Sequence, residues 1–228
     1  MDRSITLWVL DLDSPTQDCA RAWSLLDAGE QARAQGFMRE RDRRRFMLRR
    51  AALREILARH TGLAPHALPF TRNPFDRPSL AGIELDFNTS HSDGLAVVAV
   101  THHGRVGIDV ERRLDDALDP AILQPHLTLA AYTAFLHYPS AQQRHAFFDW
   151  WARIEAFAKA RGTGIVMSPP PPLDGSEADT APRLLPDDLG RMQTWHPQSL
   201  ALAPTHAASL VVSDVVRPVH VRQWPVAE

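Results

Sequence analysis

The chain has 228 residues, 44% of them hydrophobic, with 25 Lys and Arg against 27 Asp and Glu and a formal net charge of -2. That length buries a sizeable core, and the balanced charge argues against a general nucleic-acid or membrane-surface binder. One cysteine, Cys19, excludes an internal disulfide framework; with no signal-peptide pattern at the N-terminus and no apolar run of membrane-spanning length, a cytoplasmic protein is expected.

Ile5 to Leu10 is short, apolar and flanked by polar residues, which predicts a buried strand. Short helices are expected over Arg21–Leu26 and Glu30–Phe37. A longer one runs from about Asp42 to His60, with Phe46, Leu53, Ile56 and Leu57 as its apolar stripe and Thr61-Gly62 as its stop. Phe70 to Pro78 reads as a loop. Phe87 to Ser92 then leads through the turn signal Asp93-Gly94 into Leu95 to Thr101, whose run of Ala and Val predicts an interior strand. A second turn at His103-Gly104 precedes a strand from Val106 to Glu111. Leu114 to Pro139 is expected to hold a loop and one or two helices, including one near Leu129–Leu136. Gln142 to Arg161 predicts a long helix ended by Gly162-Thr163-Gly164. The proline-rich stretch Ser168 to Pro186 is expected to be an exposed loop, and Gln193–His196, Ser199–Ala203 and Ser209–Val212 to be closing antiparallel strands. With no internal repeat and no clean linker, the pattern is α+β without independent domains.

Chemistry concentrates in two of these elements. Side chains alternate along a strand, so Asp109 and Glu111 point the same way. Glu155 and Lys159 are four apart and share a helix face. Three carboxylates suited to a hard divalent cation, beside a lysine, fit an enzyme that handles a phosphate ester. An Asp-x-Glu pair alone is more often a solvated strand face. Ser90-His91-Ser92 is open to a turn reading or a ligand-binding one. No Gly-x-Ser-x-Gly elbow frames it, which disfavours a hydrolase. Arg39 to Arg50 holds seven arginines. Most are expected on a solvated helix surface, with Arg45 serving an anionic ligand; thin aromatic interleaving argues against a nucleic-acid patch.

Ser90-His91-Ser92, Gly107-Ile108-Asp109-Val110-Glu111 and Trp151-x-x-x-Glu155-x-x-x-Lys159 occur in an order and spacing that resembles the 4′-phosphopantetheinyl transferases of the large monomeric Sfp type. Asp42-x-x-Arg45 and Arg77-Pro78 are weaker matches. The resemblance spans roughly residues 30 to 165. It implies two similar α+β halves in pseudo-twofold arrangement, 1–104 and 105–228, with the active site in the cleft between them. It implies transfer of phosphopantetheine from coenzyme A to a serine hydroxyl of an acyl- or peptidyl-carrier protein, with release of 3′,5′-ADP. Asp109, Glu111 and Glu155 would hold Mg²⁺, and Lys159 would contact the phosphates. Arg45 and His91 would sit near the 3′-phosphate, Ser90 near the pyrophosphate, and Arg77-Pro78 beside the adenine. Glu155 is the expected base. No nucleic acid or membrane is expected as partner, and one chain suffices for a complete cleft, so a monomer is expected.

Three positions depart from the family pattern. A lysine common before the helix glutamate is Ile154, an acidic helix position falls near Ala131, and a glycine before the adenine-flanking residue is Asp76. These keep open an alternative, a coenzyme A-binding paralogue with weak or lost transfer.

Overall fold

The computed structural model describes residues 4–114, 118–165, 172–173 and 181–225. Two four-stranded sheets form its centre. The first runs β10-β1-β5-β4, from β1 (Ile5–Asp11), β4 (Asp86–Ser92), β5 (Leu95–Thr101) and β10 (Val219–Trp224). The second runs β6-β9-β8-β7, from β6 (Val106–Arg112), β7 (Arg183–Pro186), β8 (Met192–Ser199) and β9 (His206–Ser213). Each sheet carries one 22-residue helix, α3 (Glu40–Thr61) or α5 (Ser140–Arg161). Each of these helices ends on a left-handed glycine, Gly62 or Gly162, where the missing Cβ removes the steric penalty. The architecture is α+β, and the two halves share a plan in which the first strand pairs antiparallel with a later one, β1 with β5 and β6 with β9, while β10 crosses to the first sheet and pairs parallel with β1.

Strand alternation places the core. Ile5, Leu7 and Val9 point away from α3 and meet Val106, Ile108, Val110, Ala208, Leu210 and Val212, so the sheets pack face to face around an apolar centre. Trp8 and Leu10, on the other face of β1, pack under α3 with Phe46, Leu53, Ile56 and Leu57, the expected stripe. The intervening residues of β6, Gly107, Asp109 and Glu111, are thereby turned towards α5.

The sheets join along β4 and β6 through side chains. Asp86 Oδ2 accepts the Val106 N–H at 2.8 Å, Asn88 Oδ1 that of Ile108 at 3.0 Å, and Ser92 Oγ that of Arg112 at 3.0 Å. Alternate polar residues of β4 thus cap donors of β6, of which those on the buried Val106 and Ile108 would otherwise be left unpaired.

Several expectations are corrected. The Phe70–Pro78 segment contains strands: β2 (Phe70–Arg72) pairs with β3 (Pro78–Leu80) in a small hairpin, and Pro78 stands at a strand start, where its missing N–H is tolerated. Of the expected 168–186 loop, residues 166–171 and 174–180 lie outside the described residues, while Arg183–Pro186 is strand β7. Residues 200–203 are not a strand; the chain leaves β8 at Ser199. The helices α1 (Cys19–Leu25), α2 (Ala28–Gln35) and α4 (Leu129–Leu136) lie close to the expected segments. The arginine run is less a solvated surface than a set of internal ties. Arg44 donates to the carbonyls of Leu12 and Ser14, Arg45 to Asp13 and Asp93, and Arg50 to Glu30.

Candidate active site

Gly107 sets the spacing of the site. A Cβ there would lie 2.3 Å from the Ala156 carbonyl oxygen and 2.4 Å from the Ala160 nitrogen, so only glycine lets α5 pack this close to β6. The close approach brings Glu155 and Lys159 over Asp109 and Glu111. Lys159 Nζ lies 2.5 Å from Asp109 Oδ1 and donates to Ser90 Oγ at 3.1 Å, while Ser90 Oγ donates to the same Asp109 oxygen at 2.7 Å. Ser92 Oγ lies 3.1 Å from Glu111 Oε2.

The acids repel one another in a partly dry cleft. Burial raises the Asp109 pKa, against the lowering pull of Lys159. Burial, then the neighbouring Asp109 and Glu155 charges, push Glu111 up to about 6. Burial also raises Glu155, with Asp109 adding to it and Lys159 opposing. Asp109 Oδ2 is buried and has no hydrogen-bond partner. An all-oxygen set with one orphaned carboxylate oxygen suits a hard cation. No three Asp, Glu, His or Cys side chains among the described residues are gathered closely enough to form a ready-made metal cluster, and the Lys159 ammonium rests on Asp109.

A cleft of about 250 Å³ opens beside these residues, lined by Asp76, Arg77, Pro78, Thr89, Glu155 and Lys159. Thr89 also lines a smaller recess with Arg49, Ser90 and His91. Crowding by protein, then the charges of Arg49, Lys159 and Arg45, lower His91 to about 4 and keep it neutral at pH 7.

The arginines divide by partner. The Arg77 guanidinium is committed within the protein: it forks onto Asp86 at 2.9 Å and donates to the carbonyls of Lys159 and Val106 at 2.8 Å. Arg45 is buried between Asp13 and Asp93. Arg49, which sequence reasoning passed over in favour of Arg45, has no carboxylate partner among the described residues. Its guanidinium stands 5.0 Å from the Phe46 ring centroid, and burial, then Arg50 and Arg33, lower it to about 10. Arg45 and Arg49 are one helical turn apart, the signal that could have found it.

The departures from the family pattern are also placed. Ile154 and Ala131 are both buried in the apolar cluster between α4 and α5, not in the cleft. Asp76 has φ 67°, the left-handed region that glycine favours and aspartate enters more readily than most residues. Among the described residues, no helix is long and apolar enough to cross a membrane.

Comparison with known proteins agrees in both halves. A family model described as 4′-phosphopantetheinyl transferase, N-terminal, matches residues 13–103, and one described as 4′-phosphopantetheinyl transferase superfamily matches residues 105–211. The 4′-phosphopantetheinyl transferase HetI of Nostoc sp. is 31% identical over 198 residues, 81% of this chain and 84% of that protein. The 4′-phosphopantetheinyl transferase of Bacillus subtilis is 24% identical over 68% of this chain and 66% of its own length. The 4′-phosphopantetheinyl transferase gsp of Aneurinibacillus migulanus is 28% identical over 57% of this chain and 53% of its own.

Proposed function

Because the chain belongs to the 4′-phosphopantetheinyl transferase superfamily, we propose that it moves phosphopantetheine from coenzyme A to a serine hydroxyl of an acyl- or peptidyl-carrier protein, releasing 3′,5′-ADP. The carrying observation is the buried Asp109, with one oxygen held by Lys159 and Ser90 and the other unpaired, beside the raised acids Glu111 and Glu155.

In this reading Asp109, Glu111 and Glu155 hold Mg²⁺, which would act as a Lewis acid on the pyrophosphate. Lys159 adds a positive charge where the leaving phosphate gains negative charge. Glu155 takes the proton of the carrier serine, directly or through one water; burial raises its proton affinity towards that task. Ser90 sits at the pyrophosphate. Arg49 and neutral His91, with Arg45 behind them, receive the 3′-phosphate. Arg77-Pro78 frames the adenine by its position in the cleft wall, since the Arg77 guanidinium ties β3 to α5 and β6. A single chain supplies every one of these groups.

The test is to incubate purified protein with coenzyme A, Mg²⁺ and an apo carrier domain and to follow the carrier by mass spectrometry. A phosphopantetheine increment on the carrier is expected, suppressed in Glu155→Gln. Tight coenzyme A binding without an increment on acyl and peptidyl carriers alike would instead favour the coenzyme A-binding paralogue.

A further inference from the structure

Between β4 and β6 lies one hydroxyl that the proposed chemistry does not use. Ser92 Oγ is 3.0 Å from the Arg112 nitrogen and 3.1 Å from Glu111 Oε2. A backbone N–H only donates, so Ser92 accepts from Arg112 and its single proton is left for Glu111. Ser90 behaves alike two residues earlier, accepting from Lys159 and donating to Asp109. Two serines on the same side of one strand therefore each hold one acid on the next, both nineteen residues away in the chain.

The two acids do not need this equally. Asp109 is short, buried and already bound by Lys159. Glu111 has a longer side chain with more rotamers, stands half-buried, and is repelled by both Asp109 and Glu155. Among the described residues, Ser92 is the only group that donates a hydrogen bond to its carboxylate. Without that bond, repulsion favours rotamers that carry the carboxylate out to solvent.

We propose that Ser92 is a positioning residue for Glu111, holding its carboxylate towards Asp109 and Glu155 and so setting the divalent-cation affinity of the site. The inference rests on the reading of these acids as metal ligands. On this account Ser92 acts on the cation only through Glu111. Hydrogen bonds of this kind to a ligating carboxylate are worth roughly 10- to 100-fold in metal affinity.

The test measures Mn²⁺ binding to the full chain by the electron paramagnetic resonance of free Mn²⁺, with urea unfolding in parallel. Ser92→Thr and Ser92→Val have the same shape and both suit a strand, but only threonine keeps the hydroxyl. Ser92→Val is expected to raise the Mn²⁺ dissociation constant about 10-fold or more, and Ser92→Thr to stay near wild type. Ser92→Ala, which removes bulk instead of reshaping it, is expected to follow Ser92→Val. At saturating Mg²⁺ the KM for coenzyme A is expected to be unchanged in all three. Wild-type binding with Ser92→Val and Ser92→Ala within about twofold of it overturns the inference alone. Absence of Mn²⁺ binding by the wild type overturns the metal reading and the inference with it.

Discussion

At Asp109 one carboxylate does two things. Oδ1 anchors Lys159 and Ser90, while Oδ2 is buried and unpaired, an arrangement that is costly unless something else binds there. Lys159→Gln keeps a hydrogen-bond donor but removes the charge; turnover is expected to fall about 10²- to 10³-fold in a carrier-modification assay, whereas an unchanged rate would remove Lys159 from the chemistry. His91 gives a second residue-level test. Its pKa of about 4 lies below the ordinary 6.5, so the folded protein binds fewer protons than the unfolded chain between those values. Its contribution to stability is therefore present above about 6.5 and lost as the pH falls towards 4. An NMR titration of the ring is expected to give a midpoint near 4 in the free protein, moving upwards when 3′,5′-ADP brings an anion to Arg49 and His91. A midpoint above 6 in the free protein would contradict the desolvation of the ring and the neighbouring cations. Asp109, Glu111, Glu155 and Lys159 were legible in the sequence because strand and helix periods put each pair on one face. Arg49 was not, because the fold alone sets it beside His91, 42 residues on; Ser92 was singled out within Ser90-His91-Ser92, but its bond to Glu111, nineteen residues on, was not legible.

Among the elements, β6 and α5 bring Asp109, Glu111, Glu155 and Lys159 together, and their contact depends on Gly107. Gly107→Ala must push α5 off β6, since the clash is with backbone atoms that have no rotamer to escape through. A loss of about 1–3 kcal/mol in urea unfolding is expected, along with weakened Mn²⁺ binding as Glu155 retreats from Asp109. A variant with wild-type stability would show that the helix is free to give way. Local patterning disclosed the long helices and the β5 and β6 strands, where apolar periodicity is strong. It did not disclose β10, whose sequence alternates valine with exposed polar residues and whose partner, β1, lies more than 200 positions earlier in a parallel ladder. The β2–β3 hairpin was hidden by its prolines, which mark turns more often than strand starts. In β8, Pro197 is tolerated because β7 pairs only as far as Trp195, leaving that side of the strand open.

Across the whole molecule, the halves are fastened at both ends of the β4–β6 seam, and the cleft lies between the fastenings. At one end Arg77 binds Asp86, Lys159 and Val106 together. At the other, Asp93 takes Arg45 from α3 and Arg112 from β6. Arg77→Met leaves Asp86 without its charge partner in a largely buried position; a loss of about 3–5 kcal/mol in urea unfolding is expected, and a loss below about 1 kcal/mol would show that the clamp is dispensable. The most direct test of convergence across this seam is anomalous scattering from a crystal grown with Mn²⁺ and coenzyme A. One peak is expected within coordination distance of Asp109 Oδ2, Glu111 and Glu155, against the pyrophosphate and beside Lys159. A peak elsewhere, or one that Glu155 does not reach, would contradict the assignment of these three acids to a single cation.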